Sequence, residues 1–161
     1  MAVRKINVQR WSITSQKPFE SVVASVESQL GKPKMADFGA RIAAAKTFSE
    51  LQDVVSRAVG ESGLMEFVRI DAGAVLAKAG GNPKSIRLII GNPVIMQSMV
   101  RLAPDAASYA PVTVLIDQRL DGVHLSYDEM ASFLDSYGDT ELLAIVRDLD
   151  AKVKRLLQQA G

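Results

Sequence analysis

Cysteine is absent from the sequence, and histidine occurs once, at position 124. The first absence excludes disulfides, thiolate nucleophiles and Cys-based zinc or iron–sulfur sites. The single imidazole excludes a His-rich metal site built within one chain. No apolar run approaches the ~18 residues that read as a membrane span. Charge of one sign is not in excess: 19 basic against 18 acidic residues leave a formal net charge of +1. No whole-molecule field therefore recruits nucleic acid or anionic membrane. Aromatic residues make up 6% of the chain, and Trp11 with Arg4 and Arg10 is too little for a nucleic-acid surface. The stretch "MAVRKINVQRW" has neither an apolar signal core nor a small-residue cleavage site. The expectation is a cytoplasmic protein with no membrane or nucleic-acid partner and no cofactor.

What the sequence does contain is enough apolar material for a core, 48% of 161 residues, with 23% charged. That length suits one domain. With no repeat, low-complexity tract or linker, residues 1–161 read as a single domain. "VRKINVQRWSIT" (3–14) alternates and is rich in β-branched residues, a strand signal. After Lys17-Pro18, the residues Phe19, Val22, Val23, Val26 and Leu30 recur at helical spacing up to Gly31-Lys32-Pro33. Residues 31–46 read as a loop with a short helical turn. "TFSE" (47–50) is a capping box opening a helix with the stripe Phe48, Leu51, Val54, Val55 and Val59. "LMEFVRI" (64–70) is strand-like, and Asp71 caps a short helix carrying Val75 and Leu76.

"SIRLII" (85–90) is a further strand. Asn92 then stands where an N-cap belongs, and Pro93 occupies the first helical position, where proline is best tolerated. Two strands, "PVTVLIDQRL" and "VHLSY", flank Asp121-Gly122, a two-residue hairpin signal. Ser126 and Glu129 suggest another capping box, with Leu125 and Met130 as its staple. A last helix starts near Asp139 on the stripe Leu142, Ile145, Val146, Leu149, Val153 and Leu156. The order β-α-α-β-α-β-α-β-β-α-α, with its hairpin, predicts an α+β two-layer sandwich. Its sheet is mixed but mainly antiparallel, with helices packed on one face.

Four residues are candidates for a ligand site. Gly91-Asn92-Pro93 lies at a strand-to-helix junction, where free N–H groups and the helix dipole attract anions. A turn and cap is the stronger interpretation, because Pro93 deletes a donor and neither a P-loop lysine nor G-x-G-x-x-G is present. Arg87 interrupts an apolar strand and could bind a carboxylate or phosphate bidentately, although a solvent-facing position on a one-sided sheet is the stronger interpretation. Tyr109 precedes the hairpin and suits a pocket wall between it and the 89–100 junction. His124 shares parity with Ser126 and could act as a base, although a lone histidine on a polar strand face is commoner. Asp117, Asp121 and Asp128 would hold a metal only by converging at ligand distance.

The segment 86–134 resembles the bacterial and archaeal family called domain of unknown function 302. A small residue-Asn-Pro turn after a strand (Gly91-Asn92-Pro93) is followed by a strand from Pro111 through Ile116, the turn Asp121-Gly122 and a strand from Val123 through Tyr127. "LMEFVRIDAGAVLAKAG" before it keeps the family's order, giving a family-like core over 64–134 and extra helical material over 31–60. Ala110-Pro111 stands where many members have a Leu-Pro-Cys strand start, so no cysteine chemistry carries over. The resemblance implies a compact α+β domain, often dimeric, with no established activity. Three functions follow as expectations. The first is a homodimeric small-molecule or anion-binding module with a pocket bordered by Arg87, Asn92, Tyr109 and His124. The second is an assembly protein acting through its dimer surface, and the third an enzyme using His124.

Overall fold

The structure is a computed structural model that describes residues 3–81 and 83–161. Five strands form one sheet: β1 (Arg10–Ser15), β2 (Met65–Asp71), β3 (Ser85–Gly91), β4 (Val112–Arg119) and β5 (Gly122–Asp128). Their order across the sheet is β1-β5-β4-β3-β2, and every neighbouring pair is antiparallel. The one parallel pairing among the described residues is an isolated bridge between Gly31 and Met65. Seven helices accompany the sheet: α1 (Phe19–Ser28), α2 (Met35–Ala44), α3 (Phe48–Ser56), α4 (Ala72–Leu76), α5 (Pro93–Leu102), α6 (Met130–Leu134) and α7 (Thr140–Ala160). This is the expected α+β class.

Strand parity decides where the core lies. Ile86, Leu88 and Ile90 of β3, Val112, Val114 and Ile116 of β4, and Val123, Leu125 and Tyr127 of β5 are all at most 4% exposed. Because side chains alternate across a pleated strand, these form one face. Helices α1, α5, α6 and α7 pack against it in one cluster. The long helix α7 contributes Leu142, Val146, Leu149, Val153, Leu156 and Leu157 to that cluster. A smaller cluster, Phe38, Val55 and Met65 with Ile42, Leu51 and Val54 beside it, joins α2 and α3 to the start of β2.

Local signals explain most element ends. Thr47 accepts the Glu50 N–H at 3.2 Å, Asp71 that of Ala74 at 3.0 Å and Asp139 that of Leu142 at 3.0 Å. Asn92 Oδ1 accepts from the backbone N–H groups of Val94 (2.9 Å) and Ile95 (3.3 Å), and Pro93 is the first residue of α5.

Several expectations shift. The first strand begins at Arg10 rather than near residue 3, because the preceding chain bonds to the start of α6 instead: Gln9 donates to Ser132 Oγ, and its carbonyl accepts from Glu129. Residues 35–44 are a full helix, held by Phe38 with Ile42 against α3. Phe48 is exposed rather than inward, and Val75 and Leu76 of α4 are exposed as well. The hairpin loop is Leu120-Asp121, with Gly122 already paired to Arg119 at φ 139°. The Ser126–Glu129 capping box does not form, since Ser126 lies within β5 and Glu129 makes no side-chain cap.

Candidate functional site

The sheet face turned away from the helices carries the opposite parity, and the register places its residues in rows. One row runs Ile70, Arg87, Leu115, Ser126 and Ser12; beside it run Val68, Ile89 and Thr113. Toward the hairpin, Ser85, Asp117, His124 and Thr14 make a third row. The half of this face on β2, β3 and β4 mixes apolar Val68, Ile70, Ile89 and Leu115 with polar residues, and the half on β5 and β1 is polar.

At the end remote from the hairpin this face deepens into a cavity of about 530 Å³. Ile89 and Leu115 lie in the floor, with the Thr113 and Ser126 hydroxyls beside them. The chain leaving α5 builds one wall: a 3-10 turn, Pro104–Ser108, delivers Tyr109, and β4 is entered through a cis Ala110–Pro111 bond. Tyr109 stacks on Phe133 of α6, with centroids 4.7 Å apart and planes at 22°. Stacking of this kind fixes both rings as one apolar wall.

Two guanidinium groups reach this cavity, and they differ. Arg10 is engaged bidentately by Asp128, with Nε to Oδ1 at 2.6 Å and Nη2 to Oδ2 at 2.8 Å. The Arg10 hydrogen bonds hold the Asp128 carboxyl below its ordinary range. Arg87 has no acidic partner among the described residues; its polar contact is Thr113 Oγ1, at 3.5 Å. That is too long to count as a strong bond.

The four candidate residues are thus divided. Arg87 and Tyr109 share the cavity. Asn92 does not line it. Its Oδ1 caps α5 and its Nδ2 donates to the Gly63 carbonyl at 2.9 Å, which commits both ends of the side chain to structure. Gly91 beside it marks a close approach, not a phosphate loop: a Cβ there would sit 3.2 Å from Pro111 Cβ. His124 lies in the hairpin-side row, its Nε2 2.8 Å from Asp121 Oδ1 and 3.5 Å from Thr14 Oγ1. The bond to His124 lowers the Asp121 carboxyl. Among the described residues the side-chain partners of this imidazole are Asp121 and Thr14, and neither lines the cavity.

The three aspartates turn to separate partners: Asp117 to Arg119 (2.6 Å), Asp121 to His124 and Asp128 to Arg10. Among the described residues no group of three or more His, Asp or Glu side chains could hold a metal.

The residue that sequence reasoning missed is Asp150. It is 3% exposed on α7, and its Oδ1 accepts from Tyr127 Oη (2.6 Å) and the Met130 N–H (2.8 Å). Its Oδ2 accepts from the Ala131 N–H at 3.0 Å. Asp150 therefore caps α6 from another element and fixes the position of Met130 and Phe133 at the cavity. Burial raises its carboxyl above the ordinary range, outweighing these donors, and burial with the adjacent Asp150 raises the Tyr127 phenol. The available signal was its place beside Leu149 on the inward stripe. On the far side of this junction a second hollow, about 580 Å³, lies between residues 5–9 and helices α6 and α7.

Residues 40–160 match the protein family described as Domain of unknown function DUF302. Among solved structures, the chain is similar to an uncharacterized conserved protein DUF302 from Bacillus stearothermophilus. The TM-score is 0.66 at 10% identity, over 94% of this chain and 98% of that one. No curated protein matches. No helix among the described residues is long and apolar enough to cross a membrane.

Proposed function

This chain belongs to the DUF302 family of domains of unknown function, and from that premise we propose that it is a small-molecule or anion-binding module acting as a cytoplasmic homodimer. One observation carries the ligand-binding part: a cavity of about 530 Å³ on the uncovered sheet face, with an unpaired Arg87 above an apolar floor. Pockets of this size, mainly apolar with few convergent polar groups, are where small ligands bind. A guanidinium held over apolar surface supplies an anion contact without an intrinsic partner to displace.

The homodimer draws support from the same face. Val68 and Ile70 of β2, which share that face by register, are 47% and 41% exposed. A second copy laid against this sheet face would cover them and roof the cavity. The alternative, an assembly protein acting through this surface alone, rests on that apolar patch without the cavity. An enzyme built on His124 has weaker support, because the imidazole is bound to Asp121 outside the cavity.

The test is a thermal-shift screen against small carboxylates, sulfate and phosphate, on wild type and Arg87→Gln. The ligand-binding reading expects a rise in Tm with some anions that Arg87→Gln abolishes. A uniform failure to shift wild-type Tm overturns it and leaves the assembly reading.

A further inference from the structure

We propose that the ligand of this cavity is an apolar-tailed monocarboxylate, its carboxylate on Arg87 and its tail against Tyr109 and Phe133; the proposal rests on the cavity reading above.

The two ends of the cavity differ chemically. At the Arg10 end, Asp128 already fills a guanidinium fork at 2.6 and 2.8 Å. Arg87 carries the same fork, and among the described residues no carboxylate lies on it. A planar carboxylate is the anion that matches such a fork with two parallel bonds. Phosphate fits less well. It is ordinarily held by several donors converging from backbone or helix N-terminus, and here the N-terminus of α5 is occupied by Asn92 Oδ1 and opened by a proline.

The wall contributed by the chain after α5 and by α6 presents the stacked Tyr109 and Phe133 rings. Between the ends, Thr113 and Leu115 of β4 lie two residues apart, a span of about 7 Å. The Arg87 side chain pairs in register with Leu115 but reaches toward Thr113 Oγ1. A carboxylate on Arg87 would lie beside Thr113 in the same cavity as the rings, and an aryl-alkanoate or a short acyl acid is the ligand class that can engage both. Among the described residues a second acid on the ligand would find no free cation on the other rim, where Arg10 is already committed to Asp128, so one negative charge is preferred.

Isothermal titration with 3-phenylpropionate, 3-phenylpropan-1-ol, 3-phenylpropylamine and inorganic phosphate tests the assignment. Wild type is expected to bind the acid at least about tenfold more tightly than the alcohol, and more tightly than amine or phosphate. Arg87→Gln, at an exposed position, is expected to bring the acid down to the alcohol's affinity while leaving the alcohol unchanged. Phe133→Leu should weaken acid and alcohol alike. Equal affinity for acid and alcohol, or a preference for phosphate, overturns the carboxylate assignment while the cavity reading survives. Absence of binding by every probe overturns both.

Discussion

Asp150, Arg87 and Arg10 are three charged residues with three different fates. Arg10 is neutralised at the surface by Asp128, and Arg87 stays unpaired over the cavity floor. Asp150 is buried with three hydrogen-bond donors and no cation. Asp150→Ala would strand the Met130 and Ala131 N–H groups and the Tyr127 hydroxyl, at a cost of about 3 kcal/mol, measurable by urea denaturation. Its pH dependence has a definite sign. The folded carboxyl is raised by burial, so the native state binds this proton more tightly than the unfolded chain does. Stability from this group is therefore gained as pH falls through the folded value toward the unfolded one. Wild-type stability minus that of Asp150→Asn should rise on acidification from about pH 7 to about pH 4; a fall in that difference contradicts the assignment. The place of Asp150 beside Leu149 on the inward stripe was the one local signal, and its partners were not legible from it. An aspartate in a charged stretch reads as surface, and its burial depends on Tyr127 and the start of α6 arriving from 20 or more residues earlier.

Helix starts were the most legible elements because their chemistry lies within three residues. Thr47, Asp71 and Asn92 each cap as the sequence implies, and Asp139 caps the helix expected to start near it. Ser126-x-x-Glu129 has the same pattern and fails, because pairing with β1 and β4 claims Ser126 for the sheet. The helix at Met35–Ala44 was obscured by its narrow apolar face, essentially Phe38 and Ile42. Asn92 separates structure from binding at this scale. Asn92→Ala removes the α5 cap and the bond to Gly63, which should cost about 1–2 kcal/mol in chemical denaturation. The same variant should leave 3-phenylpropionate affinity within about twofold of wild type, since the side chain does not face the cavity; a larger loss would return Asn92 to the site.

At the scale of the whole molecule, strand alternation already implied one buried and one uncovered sheet face, and the sheet is built that way. The cavity on the uncovered face was only half legible. Arg87 and Tyr109 were visible as candidates, whereas Phe133, Thr113 and Ser126 join them only through strand register and the Asp150-held start of α6. The exposed Val68 and Ile70 make the quaternary prediction: wild type sediments as a dimer, and Val68→Asp with Ile70→Asp shifts it to monomer with its far-UV spectrum unchanged. A wild-type monomer at micromolar concentration removes the dimer from the account. The central claim is that the uncovered face binds a carboxylate, and amide chemical-shift mapping with 3-phenylpropionate tests it most directly. Saturable shifts confined to residues 87–89, 109–115 and 126–133, lost in Arg87→Gln, are the predicted result. Shifts centred on His124 or the 5–9 segment, or none at all, would contradict it.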